Sequence, residues 1–221
     1  MSINQAIIVA AGKGSRMGTE VPKQFLLLGG KPVLLHSLEA FHTFDPEISI
    51  VLVLPEDYIN EWENLRKKYA IKIDHQIIAG GSSRFQSVSN GLGLLADEGL
   101  VAVHDGARPL IQSSTIKKLF EVAGKKGNAI PYSLPSDSIR MERKDTSVII
   151  DRSSIRLIQT PQVFDTKMLK KAYQQKEHSS FTDDASVLEK AGGKVHLLEC
   201  PAGNIKITNP QDLLIAEAML G

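Results

Sequence analysis

Residues 48–54 read ISIVLVL, an apolar run of strand length with almost no polar alternation, closed by Pro55. A strand of this kind is covered on both faces, as happens in parallel sheets wrapped by helices. Similar buried-strand patterns occur at residues 6–11, 74–79, 100–104 and 128–132. Between them lie stretches of helical length. Residues 33–44 carry Leu34, Leu38 and Phe41 on one face, and 58–69 read as a surface helix. Residues 82–95 open with serines as caps, and 113–124 have Ser113 or Ser114 as cap and Gly124 near the end. This β-α-β-α order predicts an α/β, Rossmann-like, doubly wound and mostly parallel sheet. Ligands bind such sheets at the carboxyl ends of the strands.

The alternation breaks at residues 135–159. Residues 138–143 and 147–151 read as two short strands around the turn Lys144-Asp145-Thr146, a hairpin arm projecting from the domain. A lone hairpin is marginal in water, so this one is expected to pack on something, a second subunit among the candidates. Beyond it come helices at 167–175 and 183–191, a strand at 194–198, and a last helix at 210–220 with Asn209 as cap. The 221 residues suit one domain, 1–221, with the arm inserted.

Several function classes are excluded or disfavoured. The 26 Lys and Arg nearly balance 25 Asp and Glu, which argues against a nucleic-acid surface. Seven Phe, four Tyr and one Trp make stacking platforms for single strands unexpected. The single Cys200 rules out an internal disulfide and suits a reducing compartment. The apolar run at 6–11 lacks a basic lead and is too short for a signal peptide or a membrane span, so a cytoplasmic protein with no membrane partner is expected. The histidines lack metal-ligand spacing.

The loop after the first strand reads AAGKGSRMG, residues 10–18. Its glycines let the backbone approach a ligand, and successive N–H groups form an anion-binding concavity. Lys13, Arg16 and Lys23 add positive charge, so a pyrophosphate or triphosphate is the natural guest. The P-loop string G-x-x-x-x-G-K-[ST] is absent, and Gly12, Gly14 and Gly18 space as G-x-G-x-x-x-G, which weakens a hydride-transfer reading. Other charged residues read two ways. Asp105 before Gly106 is either turn chemistry or a magnesium or substrate contact. Arg108 could be a surface-turn residue, Arg152 a partner of Asp151 or Glu142, and Lys206 an outward lysine in the alternating NIKIT stretch. Thr182 reads as a helix cap, with Asp183 and Asp184 favoured by the helix dipole, and His104 as a packed histidine.

The combination AAGxGxRMG with PKQ at 22–24 is similar to sugar-phosphate nucleotidyltransferases. VHDGARP at 103–109, Asp151-Arg152, QTPQ at 159–162, TDDAS at 182–186 and NIKIT at 204–208 narrow the likeness. Together they resemble the 2-C-methyl-D-erythritol 4-phosphate cytidylyltransferases of non-mevalonate isoprenoid synthesis. The likeness runs from about Ala6 to Leu220, and a fused cyclodiphosphate synthase domain is not expected. It implies CTP as substrate, a polyol phosphate acceptor, Mg²⁺ and a homodimer with interlocking arms. By resemblance, Arg16 and Lys23 act on the CTP phosphates, and Arg152 and Lys206 position the acceptor. Ala10, Ala11, Gly12, Gly14, Gly80, Arg84 and Ser87 line the nucleotide side. Asp105, Gly106 and Arg108 lie between the substrates, with Asp105 the one residue suggested for the metal. Ser138 and Arg152 of the arm serve the partner's site, and Thr160 and Thr182 complete the substrate contacts. Ser138 stands where the family usually has Thr, and Gly106 where Ala is common.

Such a transfer asks for positioning and charge neutralisation, because a phosphate is already a nucleophile at neutral pH. That agrees with the lack of a nucleophile-base constellation in the chain. The nearest rival is a ribitol 5-phosphate cytidylyltransferase, which would differ in the acceptor pocket. A non-catalytic nucleotide-binding protein is a rival from another class, set against the joint presence of Arg16, Lys23, Arg152 and Lys206.

Overall fold

The structure, a computed structural model, describes residues 3–12 and 21–220. In chain order, β1 (Asn4–Val9) is followed by the ribbon β2 (Leu27–Leu28) and β3 (Lys31–Pro32), then α1 (Val33–Phe44), β4 (Ser49–Leu54), α2 (Ile59–Lys68) and β5 (Gln76–Ala79). Next come α3 (Arg84–Leu92), β6 (Leu100–Asp105), α4 (Ser113–Lys126) and β7 (Asn128–Ser133). The arm is β8 (Ile139–Arg143) with β9 (Thr146–Ile150), and the chain returns through β10 (Leu157–Ile158) and β11 (Gln162–Asp165). It ends with α5 (Thr166–Ala172), α6 (Asp184–Lys190), β12 (Leu197–Glu199) and α7 (Pro210–Leu220).

The central sheet runs β7-β11-β6-β1-β4-β5, with β10 and β12 both paired to β7. Strands β6, β1, β4 and β5 are parallel, in register at Ile7↔Val103 and Ile7↔Val51. The sheet is therefore mostly parallel and sandwiched by helices, as the unbroken apolar runs require. Alternate residues enter two separate cores. Ile8, Leu52 and Ala102 pack with Leu38 of α1, Trp62 of α2 and Leu119 of α4. Ile7, Val51 and Val103 pack with Val88 of α3, Leu169 of α5 and Leu188 of α6. The chain runs outward from β1 to β4 and β5, then crosses back to β6 on the other side. Order reverses between β1 and β6, and the crevice at the carboxyl ends of those strands is where such sheets bind ligands.

Local boundaries differ from the sequence reading for identifiable reasons. Ser113 and Ser114 do not cap α4; Gln112 precedes the helix without a side-chain cap bond. The helix runs past Gly124 and ends at Gly127, whose φ of 85° gives the left-handed closing residue. Thr182 does not cap α6. Asp183 does, accepting from Ser186 N–H at 2.9 Å while Ser186 Oγ accepts from Asp183 N–H at 3.2 Å, a reciprocal capping box. Ser83 caps α3 and Asn209 accepts from Asp212 N–H at the start of α7. The NIKIT stretch forms no strand; Ile207 is buried and its N–H bonds Ala107 O at 2.8 Å. In the arm, Thr146 pairs with Arg143, so the turn shrinks to Lys144-Asp145. Two strands of the central sheet are unforeseen: β10, antiparallel to β7, and β11, antiparallel to both β6 and β7, with Val163 and Phe164 wholly buried.

Because β11 joins the two halves of the sheet, Phe164→Ala should lower the unfolding free energy by about 3–5 kcal/mol. Urea unfolding of wild type and variant measures this, and a loss under about 1 kcal/mol would mean that β11 is not pinned by its core contacts.

Candidate active site

The carboxyl ends of β1, β5 and β6 and the start of α3 enclose a cavity of about 530 Å³, within the range of small-molecule sites. Among the described residues, Ala10, Ala11 and Gly12 supply one wall as the chain leaves β1. Gln24, wholly buried, braces that wall: its amide donates to Ala10 O at 2.6 Å and Gly12 O at 3.3 Å. Gly80 permits a close approach of β5 to β1, since a Cβ there would lie 2.3 Å from the Ala11 Cβ. Ser87 accepts from Gly81 N–H at 3.1 Å and donates to Ser83 O at 2.8 Å, so its hydroxyl shapes the 80–83 turn. That turn delivers Ser82 and Ser83 to the cavity at the N-terminus of α3, an end that favours anions.

Charge converges on Asp105, the last residue of β6. Lys206 Nζ lies 2.7 Å from its Oδ2, Arg84 Nε 3.5 Å from its Oδ1, and Arg108 Nε 3.8 Å from its Oδ2. Burial pushes the Asp105 carboxyl up, but the Arg84, Lys206 and Arg108 charges outweigh it and hold it well below the usual carboxylate range. Asp105 is thus an anion at any working pH. Its turn character is also real, because Arg108 N–H bonds its carbonyl at 3.0 Å. Lys23 lines the cavity too and donates to Ile207 O at 2.7 Å. Three cations, Lys23, Arg84 and Lys206, face one anion among the described lining residues, a balance that suits a polyphosphate guest.

The other residues singled out in the sequence lie as follows. Gly106 is buried behind Asp105, where a Cβ would meet Leu34 Cδ1 at 2.9 Å and Ala10 Cβ at 3.0 Å. Arg108 donates to Asn204 O at 2.8 Å rather than sitting in a surface turn. Thr160 accepts from Asp105 N–H at 3.0 Å and so braces the strand end from behind. Thr182 is exposed and, like Ser138 and Arg152 on the arm, lines no part of the cavity. Arg152 donates to Ser136 O and makes no ion pair with Asp151 or Glu142 among the described residues. Gly14 and Arg16 lie outside the described residues. The sequence reading missed the bracing role of Gln24 within PKQ, and it missed Asp184. That residue is wholly buried and grips Arg84 through both carboxylate oxygens, at 2.9 and 2.7 Å. No local pattern signals that partnership, because the two residues are 100 positions apart.

The family model for 2-C-methyl-D-erythritol 4-phosphate cytidylyltransferase matches residues 4–221. The chain belongs to that family. A relative of that name from Bacteroides fragilis is 46% identical over 215 residues, covering 97% of this chain and 98% of its own. One from Halalkalibacterium halodurans is 40% identical over 217 residues, covering 97% and 95%. The 4-diphosphocytidyl-2C-methyl-D-erythritol synthase of Anaerococcus prevotii superposes with a TM-score of 0.85 at 28% identity, over 99% of this chain and 96% of that one. This member of the family thus places its NIKIT lysine on the HDGARP aspartate, joining two of its sequence signatures in one ion pair.

His104 is the packed histidine expected, buried behind Asp105 among Ser37, Thr160 and the Arg108 carbonyl, with ring nitrogens 3.2–3.4 Å from each. Burial pushes its pKa down from 6.5 to about 4. Below pH 6.5 the unfolded chain takes this proton and the folded chain does not, so stability falls as pH drops from 6.5 towards 4. Between those limits wild type should lose about 3 kcal/mol more than His104→Asn, read from urea midpoints across the pH series.

Proposed function

We infer that the protein joins CTP to 2-C-methyl-D-erythritol 4-phosphate, giving 4-diphosphocytidyl-2-C-methyl-D-erythritol and pyrophosphate. The observation that carries this is the cation cluster around Asp105 at the β1/β6 crevice, in a chain whose family match is nearly complete. The relatives' names specify methylerythritol phosphate as acceptor, which disfavours ribitol 5-phosphate.

In this mechanism a phosphate oxygen of the acceptor attacks the α-phosphorus of CTP, and pyrophosphate leaves on the opposite side. The attacking group is already anionic, so the protein need only align the two and offset their repulsion. Lys23 lies on the wall formed after β1 and would draw the triphosphate there, together with Arg16 and the backbone at Gly12 and Gly14. Lys206, across the cavity on Asp105, would meet the incoming acceptor phosphate and the charge that grows in the transition state. Arg84 and Ser87 would shape the nucleotide side by holding the 80–83 turn and the Asp105 carboxylate. Arg108, Gly106 and Thr160 would keep the end of β6 in place.

The donor set fits Mg²⁺ carried mainly by the nucleotide. Among the described residues no three His, Cys, Asp or Glu side chains cluster as a metal site, yet Asp105 offers one ionised carboxylate on the cavity wall. Bound there, the ion would offset triphosphate charge. The lone Cys200 is unpaired, and no described helix is long and apolar enough to cross a membrane. A reducing cytoplasmic setting suits both the residue and the pathway.

The arm completes the proposal. Met141, Val148 and Ile149 are exposed on β8 and β9, Ile149 at 72%, and Leu134, Leu157 and Ile158 are exposed near its base. A two-stranded ribbon with that surface needs a partner. A second copy whose arm interlocks would cover it and bring Ser138 and Arg152 to a neighbouring acceptor pocket.

Pyrophosphate release from CTP and Mg²⁺ should require 2-C-methyl-D-erythritol 4-phosphate, and Lys206→Met should cut kcat/KM by roughly 100-fold. Release with ribitol 5-phosphate alone would move the protein to the rival activity, and none with either would restore the binding-protein reading. Ile149→Glu should convert a dimer to monomers in sedimentation experiments, and a wild-type monomer at micromolar concentration would refute the interlocked arm.

A further inference from the structure

We propose that Asp184 is a positioning residue for the transfer, acting at the cavity only through Arg84. Asp184 opens α6, is wholly buried and lines no part of the cavity. A role at the helix N-terminus does not account for it, because Asp183 already caps that helix. Its oxygens are committed elsewhere. Oδ1 accepts from Arg84 Nη1 at 2.9 Å and from the Tyr173 hydroxyl at 2.6 Å, and Oδ2 accepts from Arg84 Nη2 at 2.7 Å. Bidentate pairing of this kind fixes a guanidinium in plane as well as in place.

With both Nη groups turned to Asp184, Arg84 presents only Nε to Asp105, at 3.5 Å. That leaves Asp105 Oδ2 for Lys206, at 2.7 Å. The surroundings hold the arrangement. Phe85, next to Arg84, stacks on Tyr173 at 4.7 Å and on Phe181 at 5.5 Å, so α3, the end of α5 and the 178–181 turn pack around the Arg84–Asp184 pair. Without the Asp184 charge, the Arg84 fork has Asp105 as its nearest remaining carboxylate and competes with Lys206 for it. Asp184 therefore sets where Lys206 sits, without touching either substrate. The inference rests on the cytidylyltransfer reading of the same cavity.

The test is a set of variants: Asp184→Asn and Tyr173→Phe, each alone and combined with Arg84→Gln. Pyrophosphate release is normalised to folded, substrate-binding enzyme. Asp184→Asn should lower kcat/KM by about 30-fold and Tyr173→Phe by about 5-fold, the scale of a misplaced positioning group. Neither should add a further loss once Arg84 is Gln. Losses that multiply in the Arg84→Gln background, or wild-type kinetics in both single variants, would overturn the proposal. If Asp184→Asn does not fold, the isosteric Tyr173→Phe carries the same cycle. The Arg84 Nε–H resonance, read by ¹⁵N NMR, should move in Tyr173→Phe, and an unchanged resonance would also overturn it. Absence of turnover in wild type would instead overturn the activity, leaving the resonance to judge the network.

Discussion

One carboxylate ties together segments that are far apart in the chain. Asp105 ends β6, meets Arg84 at the start of α3 and Lys206 near the C-terminus, and its backbone N–H is held by Thr160. The burial cost of such an anion is offset only when several cations and donors reach it together. They reach it because the parallel strands β1, β5 and β6 end on one edge, and because the chain doubles back there between β1 and β6. The crevice is thus a consequence of the sheet's winding, and the ion cluster follows from what the winding brings to that edge.

The cluster prepares the cavity before any ligand arrives. Lys206 already rests on Asp105, and Lys23 on the carbonyl of the neighbouring Ile207. These cations are already oriented by short bonds at the cavity wall, so less ordering remains to be done when phosphates enter. The backbone is prepared in the same way. Gln24 fixes the carbonyls at the end of β1, and Ser87 fixes the turn after β5. Both are lining residues whose polar groups are already bonded to the scaffold.

The legibility of these parts in the sequence follows the range of the interaction that makes them. The buried strands were plain, because burial on both faces leaves an unbroken apolar run, and their alternate residues do enter two cores. Caps were displaced by a residue or by a turn, as with Asp183 for Thr182 and Gly127 for Gly124, since several adjacent residues can serve. β11 was missed because four residues between Pro161 and Thr166 carry too short a pattern to set a period. Lys206 and Arg152 became visible as site candidates only by family resemblance; their local patterns fit ordinary surface residues. Of the two, Lys206 reaches the cavity, while Arg152 stays on the arm.

Asp184 shows the limit of local reading most clearly. In the chain it is the second of two acidic residues at a helix start, where electrostatics alone favours them. In the fold the two divide the work, Asp183 capping α6 and Asp184 turning inward to Arg84 and Tyr173. The capping box with Ser186 picks out Asp183 locally, but the role of Asp184 is set by a cation 100 positions away. A carboxylate buried behind a cavity-lining arginine has little reason to be charged unless the geometry of that arginine matters. Apolar residues of similar volume would fill that space with no desolvation to offset. The pair is therefore best understood as part of the machinery that sets the charges around Asp105.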